Sequence, residues 1–179
     1  ANKIKIIDGE LHELGEQDDI LINDGNGKFQ VKKWETLVMG QVDGDFPYRD
    51  QGLAVAFRDL NGDMAPEIFV ANDGHPDRFF WNNGRGSFKT YAAGQIRHLS
   101  YNSMGIDFAD VNRDSVDDLV VVEMLATGRA LRITQDKTAF PKAEYIANRN
   151  SDAWPQAGRN MLYLGRGDMT FTEAAYMMG

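Results

Sequence analysis

Asp59-Leu-Asn61-Gly-Asp63-Met-Ala-Pro-Glu67 and Asp110-Val-Asn112-Arg-Asp114-Ser-Val-Asp-Asp118 are the stretches on which the reading of this chain turns. Each places a side-chain oxygen at positions 1, 3, 5 and 9 of a short loop. Hard oxygen donors at that alternation suit Ca²⁺, which takes six to eight oxygens at about 2.3–2.6 Å. The step from Asp59 to Asp110 is 51 residues. A loop that returns with its surroundings marks a repeat architecture.

The EF-hand begins similarly but needs Gly at position 6, a bidentate Glu at position 12 and flanking helices. Here position 6 is Met64 or Ser115, and position 12 is Val70 or Val121. The flanks are Gly52-Leu-Ala-Val-Ala-Phe57 and Ile68-Phe-Val-Ala71, then Met104-Gly-Ile-Asp-Phe108 and Leu119-Val-Val-Val122. Short runs rich in Val, Ile and Phe, bounded by turn residues, read as strands. Each loop therefore sits in a β-loop-β unit, and a left-handed backbone at Met64 or Ser115 would cost about 1 kcal/mol. Asp/Asn/Gly clusters also make plain turns by bonding their own backbone; two copies in one register favour the metal.

A second signature recurs as Leu21-Ile-Asn23-Asp-Gly25-Asn-Gly27-Lys-Phe29, Phe80-Trp-Asn82-Asn-Gly84-Arg-Gly86-Ser-Phe88 and Tyr163-Leu-Gly165-Arg-Gly167-Asp-Met-Thr-Phe171. Asn-Gly and Asp-Gly between apolar residues predict tight type I′ hairpins. No helix follows these glycines in the register of a phosphate loop. The unit is thus strand, calcium loop, two strands, glycine turn, strand. Four-stranded sheets repeated radially make a β-propeller. The reading is all-β: one partial propeller over residues 1–179, of about three blades. Blade one spans about 1–47 and has no metal loop, blade two about 48–99, and blade three about 100–179 with an insertion at 126–158.

The pattern resembles the FG-GAP or VCBS repeats of integrin-α-like propellers. More narrowly it looks like bacterial relatives of cartilage acidic protein, which join such repeats to an ASPIC/UnbV module. The residues that carry the resemblance are Gly52 to Asp63, Ile68 to Asp73, Pro76-Asp77-Arg78, Ser103 to Asp110, and Arg159 to Gly167. The resemblance implies a structural calcium ion in each loop. The first would be held by Asp59, Asn61, Asp63, the Ala65 carbonyl and Glu67, the last standing where the family has Asp. The second would be held by Asp110, Asn112, Asp114, the Val116 carbonyl and Asp118.

The net charge of −8 is halved by two Ca²⁺ and argues against nucleic acid, whose phosphates need Lys and Arg. No apolar stretch approaches a membrane span, and zero Cys excludes thiol chemistry and disulfides. Weak calcium loops suit a millimolar-calcium compartment, so export to the periplasm, cell surface or medium is expected, as the resemblance also implies. A propeller needs 4–8 blades, so the chain reads as a fragment, or as copies that self-associate.

No H-E-x-x-H or G-x-S-x-G occurs. His12, His75 and His98 are scattered; His75, beside the first loop, is the one to watch. The carboxylate pairs Asp117-Asp118 and Asp18-Asp19 could do acid-base work, but Asp118 reads better as a metal ligand and Asp117 as solvated. Arg166-Gly-Asp168 reads as turn geometry rather than an adhesive tripeptide. The polar insertion holds Arg129, Arg132, Lys137, Lys142, Tyr145, Arg149 and the Trp154-Pro155 pair, with short helices expected over 127–135 and 142–148. Insertions in repeat proteins often form the binding face. The expected function is a non-catalytic, calcium-stabilised segment that binds a protein or glycan. The alternative is part of a propeller-type polysaccharide lyase.

Overall fold

A computed structural model describes residues 3–7, 10–14, 18–39, 51–73, 76–90, 95–96, 98–100, 102–124, 128, 130–131 and 156–178. Strands dominate. Two hairpins open the chain: β1 (Lys3–Ile7) with β2 (Glu10–Leu14), and β3 (Asp19–Asn23) with β4 (Phe29–Lys33). The four strands expected for a first blade lie in two separate two-stranded sheets. A single helical turn, α1 (Trp34–Leu37), leads into β5 (Val38–Met39).

The first large sheet is an antiparallel meander of β6 (Gly52–Arg58), β7 (Glu67–Asn72), β8 (Arg78–Asn82) and β9 (Phe88–Thr90). The short β5 adds to β9 in parallel as a fifth strand. After β10 (Leu99–Ser100), the second large sheet repeats the plan with β11 (Ser103–Ala109), β12 (Asp118–Glu123), β14 (Met161–Gly165) and β15 (Phe171–Glu173). The two-residue β13 (Gln156–Ala157) pairs with β10, and α2 (Ala175–Met178) ends the described chain.

The 51-residue step holds from β6 to β11, through the loops, and from β7 to β12. Even the register irregularity recurs, between Gly52 and Ala54 and between Ser103 and Gly105. It is lost between β12 and β14, where the extra residues enter. Most of that insertion, including the expected helix over 142–148 and Trp154-Pro155, lies outside the described residues; of the helix expected over 127–135 only 128, 130 and 131 are described, the last two helical.

The alternation of the strands places the core between the two large sheets. Phe69 and Phe79 from one meet Leu119, Val121, Met161, Tyr163 and Phe171 from the other, with Ile96 and Leu99 filling the end. Phe79 and Phe171 meet edge-on with ring centroids 5.9 Å apart. The opposite face of the first sheet carries Ile68, Phe80 and Phe88, capped by Trp34 from α1, which stacks on Phe80 at 4.4 Å. The first sheet is therefore covered on one face and partly on the other, where Val55 and Phe57 of β6 stay exposed beside this cluster. Aromatic pairs of this kind contribute about 0.5–1.5 kcal/mol beyond their burial.

The glycine turns depart from type I′ geometry. Positive φ falls on alternate residues, Gly25 and Gly27, Gly84 and Gly86, Gly167 and Met169, not on two consecutive ones. The loop is wider, closed by a backbone bond such as Asn83 N–H to Ser87 O at 3.0 Å. In the first two turns an Asx side chain fills the centre: Asn83 Oδ1 accepts from Arg85 N–H (2.8 Å) and Ser87 N–H (3.2 Å).

Two features fix the second sheet's far edge. Arg159 donates twice to Glu173, at 2.8 and 2.6 Å, and lies over the Tyr176 ring at 4.2 Å. That bidentate bond holds the Glu173 carboxyl below its ordinary range. At the loop end of the inner strand β14, a Cβ on Gly165 would run into the Asp117 carbonyl and come within 2.8 Å of Val116 Cγ1. Gly165→Ala should lose about 1–3 kcal/mol in urea unfolding. Because its folded pKa is depressed, Glu173 adds stability above the ordinary glutamate value of 4.5 that is lost as pH falls through the folded pKa. In Glu173→Gln that part of the acid-side decline should vanish from thermal melts.

Candidate functional site

The two nine-residue loops join β6 to β7 and β11 to β12, so they lie at the same end of adjacent sheets. Their geometry follows from backbone conformation. Gly62 and Met64 have φ of 75° and 65°; Arg113 and Ser115, at the same positions, have 63° and 68°. Left-handed residues at positions 4 and 6 turn successive N–H groups inward, a concavity that attracts negative oxygen. The expected left-handed backbone at Met64 and Ser115 is present.

The position-1 carboxylates fill that concavity. Asp59 Oδ1 accepts from Gly62 N–H (2.8 Å) and Asp63 N–H (3.1 Å), and Oδ2 from Met64 N–H (2.9 Å). Asp110 does the same with Asp114 N–H (3.0 Å) and Ser115 N–H (2.9 Å). Position 3 accepts from position 5, at 2.9 Å for both Asn61 and Asn112. The position-5 carboxylates, Asp63 and Asp114, each accept at 2.8 Å from the N–H of Ala65 or Val116. Asn61 and Asn112 also donate their amides to those carboxylates, at 3.1 and 2.8 Å. All ten residues expected at the sites thus lie in two matching loops. The side chains turn onto their own backbone, and among the described residues no three His, Cys, Asp or Glu side chains converge as a metal cluster.

Position 9 separates the two loops. Both closing carboxylates are buried, Glu67 at 1% exposure and Asp118 at 0%. Asp118 is satisfied on both oxygens: Oδ2 accepts from Val111 N–H and Oδ1 from Gly165 N–H, each at 2.9 Å. Glu67 Oε2 accepts from Leu60 N–H at 2.9 Å, but Oε1 has no hydrogen bond of good geometry. The Asn82 backbone, counterpart of Gly165, lies near enough to favour the charged form without closing such a bond. Burial pushes the Glu67 carboxyl above its usual value, and the charge of Asp63 adds to this. A buried carboxylate oxygen without a donor beside further acidic oxygens suits a cation, and the all-oxygen donor set suits a hard one.

Asp117 is not solvated as expected. Arg58, the last residue of β6, donates to it through Nε (2.5 Å) and Nη2 (2.7 Å), tying the start of the first loop to the end of the second. The sequence marks both residues by position, one place before Asp59 and one before Asp118; only the folded stacking brings them together.

The remaining candidates take structural places. Arg166 bonds Thr172 Oγ1 at 2.7 Å and Asp168 Oδ1 accepts Thr170 N–H at 3.0 Å, so both ends of that tripeptide are turned onto their own hairpin. Asp19 pairs with Lys33 at 2.6 Å. His98 gives its backbone carbonyl to Tyr163 Oη–H at 2.8 Å. His75 and the insertion residues Arg129, Arg132, Lys137, Lys142, Tyr145 and Arg149 lie outside the described residues.

A buried polar seam was not anticipated. At the sheet ends opposite the loops, Asp77 accepts from Asn72 N–H (2.9 Å) and Ser103 Oγ–H (2.8 Å), bridging the two sheets. Glu123 Oε2 accepts from Ser100 Oγ–H (2.5 Å) and Asn102 N–H (2.7 Å). Its only sequence signal is a set of small polar residues at the ends of apolar strands.

Residues 59–121 match the family model of the FG-GAP-like repeat. The match runs from the first ligand-type residue of the first loop into β12, and so takes in both loops. It supports the FG-GAP repeat family and suggests a β-propeller-type segment. No curated protein and no solved structure matches the chain.

Relieving the left-handed strain at position 6 should stabilise the fold. Met64→Gly and Ser115→Gly should each gain up to about 1 kcal/mol, less the chain entropy that glycine adds to the unfolded state. Paired denaturant melts measure the difference.

Proposed function

We propose that the chain is a non-catalytic, calcium-stabilised β-propeller segment whose two loops each hold one structural Ca²⁺. The observation that carries this reading is the buried Glu67 Oε1, a carboxyl oxygen with no hydrogen bond of good geometry inside a loop of oxygen donors. Asp59, Asn61, Asp63, the Ala65 carbonyl and Glu67 would form one donor set. Asp110, Asn112, Asp114, the Val116 carbonyl and Asp118 would form the other. The ion would neutralise clustered acidic side chains and fix each hairpin against its sheet. The two large meanders would be adjacent blades of about three, in a relative of ASPIC/UnbV-bearing proteins.

In this reading the loops fasten the scaffold, and a protein or glycan partner meets the faces or the 126–158 insertion. Loops of this kind would fill where calcium is millimolar, which supports an exported protein in this reading. A polysaccharide-lyase role, the alternative, would need a Lys, Arg or Tyr base at the central face.

Saturating calcium at a hundredfold over the dissociation constant adds about 2.7 kcal/mol per site. In a chain of this size that amounts to a melting shift of several degrees between EDTA and millimolar Ca²⁺. Equal melting temperatures in the two conditions would defeat the calcium reading.

A further inference from the structure

We propose that the two loops are unequal calcium sites, the first the tighter, because of the residue that closes each. The proposal rests on the calcium reading above and goes beyond it by ranking the sites and assigning the difference to one side chain. The loops are alike at positions 1, 3 and 5 in donor type and in the placing of left-handed residues. Asp59 accepts one further bond, from Gly62 N–H, and position 8 is Pro66 in one loop and the Arg58-paired Asp117 in the other, so within the donor set itself the contrast lies at position 9.

Asp118 has both oxygens bonded to backbone N–H groups, one from its own loop and one from the start of β14. Each oxygen keeps a further lone pair, so a cation can still bind, but it must share oxygens already compensated. In the first loop, Gly165 is replaced by Asn82, whose side chain is engaged with Pro66 O (3.1 Å) and Gly84 N–H (3.0 Å). The longer Glu67 side chain bonds Leu60 N–H through Oε2 and leaves Oε1 buried with the Asn82 N–H nearby but no hydrogen bond of good geometry. An acceptor in that condition destabilises the metal-free protein, and a cation removes the penalty on arrival. The second loop has no such penalty to relieve. A closing Glu with one uncommitted oxygen also resembles the bidentate glutamate that tightens other calcium loops.

The test is calcium titration of the full chain by calorimetry, with native mass spectrometry to count ions and circular dichroism to confirm folding. The wild type should take up two ions with affinities separated by about tenfold or more. Glu67→Gln should weaken the tighter step by at least that factor and leave the weaker step unchanged. Asp114→Asn should weaken only the weaker step. Glu67→Asp, the conservative change, should stay folded and bring the two affinities together.

Two equal steps in the wild type, or loss of the weaker step in Glu67→Gln, would overturn the ranking while leaving calcium binding intact. A Glu67→Asp chain that keeps the full separation would overturn the assignment to this side chain. No bound ion at millimolar calcium would overturn the calcium reading and the ranking with it.

Discussion

A hairpin that crosses between strands over nine residues leaves a run of backbone N–H groups with no ladder to join. Such groups need acceptors, from the protein or from water. In this chain the acceptors are Asp and Asn side chains, held in place by left-handed residues at alternate positions. The same arrangement recurs at smaller scale in the glycine turns, where Asp24 and Asn83 sit at the centre. Meeting that one requirement shapes every tip at this end of the sheets. It also concentrates anionic oxygen there, which is the condition a divalent cation exploits.

The rest of the molecule hangs from those tips. The position-9 carboxylates open β7 and β12, so the loop ends where the core begins, and Asp118 reaches back to the backbone of β14. Gly165 lets β14 press against Val116 and Asp117, and Asp117 in turn receives Arg58 from the neighbouring sheet. Site chemistry and sheet packing are thus one structure. At the opposite end the seam around Asp77 and Ser103 joins the same two sheets, so the aromatic core between them is closed by polar contacts at both ends.

Much of this was legible in the sequence because it depends on local rules. The 51-residue step, the strands flanking each loop, the four-stranded meander and the left-handed strain at Met64 and Ser115 all follow from spacing and residue type. What was not legible depends on neighbours brought together by folding. Asp117 looks like any exposed acid until β6 of the adjacent sheet delivers Arg58. The difference between Glu67 and Asp118 is one methylene in the sequence; only the positions of the Asn82 and Gly165 amides turn it into a difference in hydrogen bonding. The wider form of the glycine turns was missed for a local reason: Gly-x-Gly and Asn-Gly both supply positive φ, and the letters alone do not say whether it falls on consecutive or alternate residues.

The pairing of β12 with β14 has a consequence for how the chain assembles. Glu123 N–H bonds Asn160 Oδ1 across 37 residues at 2.8 Å, whereas β7 reaches β8 after only a short crossing. The first sheet can zip from local contacts, while the second must bring β12 and β14 together over a wide separation in sequence, the kind of event that slows folding. The two sheets share one plan and one end-to-end geometry, yet the order in which their strands can pair differs, and the second is the one that sets the pace.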